Sequence, residues 1–172
     1  MSERTRRIRH TPVQECVSLL PIDPLLVHPG DDPLEVMHRA AERPQTRLLG
    51  VVDDAGVLVG VLSTEGLAEA VVVRVSPETL IADIADIADA ARFGHAVSAS
   101  TVEDVMVTPA TISETATIDE AFRRMHARRL SGLYVIDEAG RPTGYLDLLE
   151  LTMRYVEALE DDRPPVDPRT EA

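Results

Sequence analysis

The feature that most constrains this chain is that it repeats itself. Displaced by 84 residues, positions 34–67 fall on 118–151, and nine of those 34 pairs are identical. They are Arg39/Arg123, Leu49/Leu133, Val51/Val135, Asp53/Asp137, Ala55/Ala139, Gly56/Gly140, Gly60/Gly144, Leu62/Leu146 and Leu67/Leu151. Upstream, a displacement of 85 pairs Val17/Val102, Leu20/Val105, Pro24/Pro109 and Val27/Ile112. Self-similarity at a fixed displacement marks one folding unit built twice. The change from 85 to 84 predicts one residue gained or lost near 28–34.

Each copy reads as β-α-β-β-α. A short extended run (Leu25–Val27, Thr111–Ile112) precedes a helix start. Asp32-Pro-Leu-Glu35 and Thr117-Ile-Asp-Glu120 both have capping-box form, the first with proline at the opening helical position. Leu34, Met37 and Ala41 in one copy, and Ile118, Ala121, Phe122 and Met125 in the other, form the expected apolar stripes. His38, aligned with Phe122, is expected to be a partly buried packing residue. Two strands then flank a hairpin, at 48–62 and 133–146. Asp53 and Asp137 can hydrogen-bond the turn backbone there, and Gly56 and Gly140 suit positive φ. A second helix follows each hairpin; in 148–159, Leu148, Leu151, Tyr155 and Leu159 recur at helical spacing.

The intervals differ in character. Residues 67–75 are almost wholly apolar, more than one helical stripe needs, which favours a subunit interface over internal core. Ser76-Pro-Glu-Thr opens a helix expected to run to Phe93 and stop at Gly94 as its C′ residue. Within it, Asp83, Asp86 and Asp89 line one face and Ile81, Ile84 and Ile87 another. The chain thus divides into a basic flexible arm (1–12), a first repeat (13–75), an inter-repeat helical connection (76–101), a second repeat (102–160) and a disordered acidic tail (161–172). Residues 1–10 and 163–172 lack apolar periodicity, so deleting them is expected to leave fold and stability nearly unchanged.

Charge and composition then exclude several classes. Thirty acids against 17 bases, all arginine, give a net charge of −13, a poor footprint for a phosphate-backbone binder. Residues 1–10 carry Arg4, Arg6, Arg7 and Arg9 against Glu3, an arm better read as a solvated terminus than as a nucleic-acid contact. No apolar run approaches ~20 residues and no secretory leader precedes the repeats, so a cytoplasmic protein with no membrane contact is expected. The single cysteine, Cys16, excludes an internal disulfide, and its neighbour Glu15 would raise rather than lower the thiol pKa. Five histidines form no H-x-x-x-H or H-E-x-x-H, and there is no G-x-S-x-G or phosphate-binding glycine loop. A catalytic role is not expected.

The order of these motifs, twice over, resembles a tandem of CBS domains. The second copy fits best, with V-E-D-V-M at 102–106, V-I-D at 135–137, Gly140 and G-Y-L at 144–146; the first has V-S-L-L-P at 17–21 instead. The resemblance covers roughly residues 13–160. It implies a mixed α+β (α/β) fold of two β-α-β-β-α repeats packed sheet to sheet about a pseudo-two-fold axis, with an extra helix between them. It also implies a non-enzymatic regulatory module with two clefts for adenosine-based ligands: adenosine, AMP, ATP or S-adenosylmethionine. No cofactor is required.

By the same resemblance, adenine lies against Leu49-Gly50-Val51 or Leu133-Tyr134-Val135, with Gly50 and Tyr134 standing where the family usually has proline. Ribose and phosphate meet the segment after the last strand, usually G-h-h-[S/T]-x-x-D. The first copy keeps the hydroxyl as Ser63 but has Gly66 for the carboxylate; the second has Asp147 for the hydroxyl and keeps a carboxylate as Glu150. Two like charges ~4 Å apart repel by several kcal/mol at an effective dielectric near 20, so Asp147 disfavours a phosphate. A neutral or cationic adenosyl ligand suits the second cleft better. The resemblance further implies a homodimer and an unidentified partner protein. Two readings stand beside it: a ligand-free scaffold with empty clefts, and a Mg²⁺ sensor using Asp83, Asp86 and Asp89, for which the plain alternative is a solvated helix face.

Overall fold

A computed structural model describes residues 10–19, 23–43, 47–75, 91, 94 and 98–161. The elements in order are α1 (Val13–Leu19), β1 (Leu26–Val27), α2 (Pro33–Ala41), β2 (Leu48–Val52), β3 (Leu58–Ser63) and α3 (Thr64–Val75). The second half has α4 (Val102–Val105), β4 (Thr111–Ser113), α5 (Ile118–Arg128), β5 (Gly132–Ile136), β6 (Pro142–Asp147) and α6 (Leu148–Asp161). Each half builds a three-stranded sheet, β1-β2-β3 and β4-β5-β6. The central strand pairs parallel to the first and antiparallel to the third. All five residues of β2 are buried because both its faces are covered, which is why Leu48–Val52 shows no polar alternation.

Local chemistry sets the turns and helix starts. Asp53 Oδ1 accepts from Ala55 N and Val57 N at 2.9 Å each, and Asp137 Oδ1 accepts from Ala139 N and Arg141 N at 2.8 Å each. Gly56 and Gly140 close these turns at φ 76° and 79°, where a side chain would be strained. Asp32 caps α2 by accepting from Leu34 N (2.8 Å), and Thr117 caps α5 by accepting from Glu120 N (3.3 Å).

The register of the duplication differs from the sequence expectation. The buried faces are Pro33, Val36 and Ala40 in α2 and Ile118, Ala121 and Met125 in α5, which correspond at a displacement of 85, not 84. Arg39 donates to the Leu26 carbonyl (2.9 Å), and its counterpart Arg124, not Arg123, donates to the Thr111 carbonyl. The extra residue therefore lies between α2 and β2, where 42–47 stand against 127–131. The two helices also leave differently: Glu42 ends α2 in the right-handed region, whereas Arg129 ends α5 left-handed at φ 52°. The expected stripe is accordingly off by one position in the first copy. Leu34 and Ala41 are exposed, and Met37 stands opposite Phe122. His38 is exposed rather than partly buried.

The two halves exchange their leading segments. Helix α1 packs into the second core, with Val13 fully buried among Ile112, Ile118, Ala121 and Leu146 and with Val13 N on the Ala116 carbonyl (2.8 Å). Helix α4 packs into the first core, with Val102 buried beside Val27, Val51 and Leu62. Val102 N donates to the Asp31 carbonyl (3.0 Å), and Val107 pairs with Val61 along the free edge of β3. Gly60 and Gly144 receive these segments: Met106 covers the first and Val17 the second, each in the space a Cβ would need.

Helix α3 buries Leu67, Ala70 and Val73. Most of the apolar excess at 67–75 is thus internal core, and Val75 alone of that run is a large exposed apolar side chain. Among the described residues, exposed apolar side chains align instead on α6, at Leu149, Met153 and Val156. Gly94 is helical and not at positive φ, so it is not the C′ residue expected. Asp83, Asp86 and Asp89, most of the expected inter-repeat helix and the tail beyond Asp161 lie outside the described residues.

Candidate ligand clefts between the repeats

Strand alternation divides the candidate adenine-contact residues into two sets. Leu49 and Val51 point into the first core, and Leu133 and Val135 into the second. Gly50 and Tyr134 face the other sheet, within a layer formed by Leu48, Val52, Leu58, Val61, Tyr134 and Tyr145. Tyr134 is fully buried, donates its hydroxyl to the Leu48 carbonyl (2.9 Å), and lies 5.3 Å from Tyr145 between ring centroids. A ligand can meet these strands only through backbone. Because β2 and β5 are central, much of that backbone is already paired with neighbouring strands. Just before these strands Arg47 and Ser131 are exposed, and their carbonyls accept from Thr64 N (3.1 Å) and Leu148 N (2.8 Å).

At the end of β3, Ser63 Oγ accepts from Gly66 N (3.0 Å), which ties the hydroxyl to the first turn of α3. Gly66 presents no side chain. The segment after β3 thus carries a hydroxyl and no carboxylate at the two motif positions.

The corresponding segment of the second repeat is built differently. Asp147, 5% exposed, uses Oδ1 to cap α6, accepting from Leu149 N (2.8 Å) and Glu150 N (3.4 Å). Its Oδ2 has no hydrogen-bond partner, and the same holds for Glu150 Oε2 and Tyr145 Oη, all three buried. Tyr145 and Asp147 lie two apart on β6 and share a face. Glu150 stands in the first turn of α6, near enough for its charge to act on the Tyr145 phenol. Burial pushes the Tyr145 phenol above its usual range; the Asp147 and Glu150 charges add to this, and Arg47 opposes it. Arg47, contributed by the first repeat, brings Nε to 4.0 Å from Asp147 Oδ2 with its side chain half exposed. Tyr145 and Arg47 were not singled out from the sequence. Tyr145 sits at a position that reads only as an apolar strand residue, and Arg47 adjoins the extra residue, with Ser131 as its counterpart.

Unpartnered buried polar atoms cost about 1–3 kcal/mol each when nothing satisfies them, so a cluster of three is a place where water or a ligand belongs. Among the described residues, no group of three His, Cys, Asp or Glu side chains is placed to hold a metal ion, and no helix is long and apolar enough to cross a membrane.

The family model described as CBS domain matches residues 17–73 and 102–157. The chain belongs to the CBS-domain family, as a tandem pair. Its fold is similar to that of a CBS domain-containing protein from Thermotoga maritima, at TM-score 0.66 and 22% identity, covering 90% of this chain and 97% of that one. It is also similar to the CBS domain pair of protein MJ0100, solved with 5′-methylthioadenosine and S-adenosyl-L-methionine (TM-score 0.62, 20% identity, 86% and 97% covered). A third likeness is to CBSX2 in complex with AMP (TM-score 0.58, 21% identity, 90% and 96% covered). No curated protein matches the chain.

Proposed function

We propose that this CBS pair is a non-enzymatic sensor module whose second cleft takes an uncharged or cationic adenosyl ligand. The observation that carries the reading is the set of buried, unpartnered oxygens on Tyr145, Asp147 and Glu150, on the segment after the last strand. A carboxylate offers about four lone-pair sites, so Glu150 can accept from both ribose hydroxyls while Asp147 keeps its cap to α6. A 5′-phosphate would meet the Asp147 charge in surroundings where only a half-exposed Arg47 offsets it. Similar folds solved with S-adenosyl-L-methionine and with AMP support the ligand class. The positions 49–51 and 133–135, buried in the paired central strands, contribute shape, and Ser63 and Gly66 make the first cleft the weaker site.

A thermal-shift panel of adenosine, AMP, ATP, S-adenosylmethionine, NADH and Mg²⁺ tests this. Adenosine or S-adenosylmethionine should raise the melting temperature more than AMP does. A response to Mg²⁺ alone would favour a divalent-cation sensor.

A second reading, a dimeric scaffold for a partner protein, is favoured by the exposed Leu149, Met153 and Val156 on α6. Light scattering at micromolar concentration distinguishes a dimer from a species of about 19 kDa, since stable dimer interfaces bury upwards of ~1,000 Å². The two readings are compatible, because the stripe and the cleft use different residues.

A further inference from the structure

The unpartnered atoms of the second cleft are three oxygens, of which only the Tyr145 hydroxyl has a proton to donate. Tyr145 is 1% exposed and Asp147 5%, so neither completes its hydrogen bonding with bulk water. Asp147 faces the Arg47 guanidinium, which is half exposed and beyond hydrogen-bond distance at 4.0 Å. The cluster is therefore acidic and rich in acceptors.

Resting on the reading that this cleft is the ligand site, we propose that the group it recognises is a primary ammonium. That group, free or on the side arm of a larger ligand, is held by Asp147 Oδ2, Glu150 Oε2 and Tyr145 Oη. An ammonium carries three donors and no acceptor, which matches three oxygens one to one. Among the described residues, no group of three His, Cys, Asp or Glu side chains is placed to hold a divalent cation. An anion meets two carboxylates. The Tyr145 phenol stays neutral because burial disfavours its ionised form, and it keeps its lone pairs for the third contact. Arg47 is the internal competitor for this charge: it approaches the same Asp147 oxygen from the first repeat, and an ammonium in the cleft takes over that neutralising role.

The test is calorimetric titration of the full chain with putrescine, tetramethylammonium and adenosine separately. Tetramethylammonium has the charge without an N–H, so it isolates the donor requirement. Putrescine should bind and tetramethylammonium should not. Glu150→Gln should weaken putrescine by about tenfold or more, the value of a charge-assisted hydrogen bond. Arg47→Met should tighten it several-fold by removing the competitor. Glu150→Gln and Arg47→Met both alter side chains that cap no helix, and a melting curve on each checks that the fold is kept. Equal binding of the two cations, an unchanged affinity in Glu150→Gln, or no putrescine binding to either wild type or Arg47→Met would overturn the proposal. Adenosine binding without amine binding overturns this inference alone. Amine binding with no response to any adenosyl compound overturns the adenosyl reading and leaves this one standing.

Discussion

The ring of Tyr134 occupies the space a side chain on Gly50 would need: a Cβ at Gly50 would come within 2.8 Å of Tyr134 Cζ and of Leu26 Cδ2. The two residues hold the same place in the two repeats, and positions that are equivalent can touch only where the symmetry axis passes. At an axis, two equally large side chains compete for one volume. The duplication resolved this with one small and one large residue, and the Tyr134 hydroxyl then reaches the Leu48 carbonyl across the interface (2.9 Å).

Gly50→Ala should therefore destabilise the chain by about 1–3 kcal/mol, the range for overpacking a closed core. In a double-mutant cycle with Tyr134→Leu, the cost should fall, because the smaller partner vacates the space. Denaturant midpoints measure both. Additive effects would show that the contact is relaxed at no cost.

Exchange of the leading segments makes each core depend on the other half of the chain. Deleting residues through Leu19 removes Val13, which is fully buried in the second core. A buried valine is worth about 1.5–3 kcal/mol, and α1 contributes Cys16 and Val17 as well, so the loss should reach several kcal/mol. Hydrogen exchange should show it in β4–β6 rather than in β1–β3. Unaltered protection of the second sheet would contradict the exchange.

Two carboxylates link stability to acid. Asp104 accepts from Ser100 N (2.8 Å) and Thr101 N (2.9 Å), and these bonds hold its pKa below the usual 3.8. Asp32 is lowered likewise by Leu34 N and by Arg74 at 2.8 Å. A depressed carboxylate stabilises the fold above its unfolded value, and that share is lost as pH falls through the folded value. Their contribution should thus be constant above about pH 5 and fade below about pH 4. Asp104→Asn should flatten part of that acid limb in urea titrations at stepped pH.

Alkali should act through the phenols. Burial raises both Tyr134 and Tyr145 above the usual value of 10.0. Unfolded chains release these protons near that value and the folded chain does not, so stability should fall as pH rises past about 10. Phenolate absorbance should follow the unfolding transition for two of the three tyrosines. Full ionisation at pH 10.5 with the fold intact would contradict the buried layer.

Asp147→Thr should alter ligand choice while keeping α6, since threonine also serves as an N-cap. Removing the charge should raise AMP affinity by about tenfold or more. Titration of the variant with AMP and adenosine reads the effect directly.

What the sequence showed and what it hid follow one physical line. Local chemistry was legible: the turn aspartates, Gly56 and Gly140, the caps Asp32 and Thr117, and the β-α-β-β-α order all act within a few residues. The helix register was not, because the identity of Arg39 and Arg123 is a coincidence of composition; the bond to the preceding strand is made by Arg124. The exchange of α1 and α4 was hidden because apolar residues such as Val13 and Val102 do not state which core they enter. At the site, Asp147 and Glu150 were legible from their motif, whereas Tyr145 reads only as an apolar strand residue and Arg47 reaches Asp147 only through the packing of one repeat on the other. The apolar run at 67–75 misled in the same way, since Leu67, Ala70 and Val73 serve the core.

The most direct test of the account is calorimetric titration of the metal-free chain with adenosine and with AMP, repeated on Glu150→Ala. The account predicts that adenosine binds more tightly than AMP. It also predicts that losing Glu150 weakens adenosine by about tenfold or more, as expected for hydrogen bonds to a charged group. Tighter binding of AMP than adenosine, or an adenosine affinity indifferent to Glu150, would contradict it.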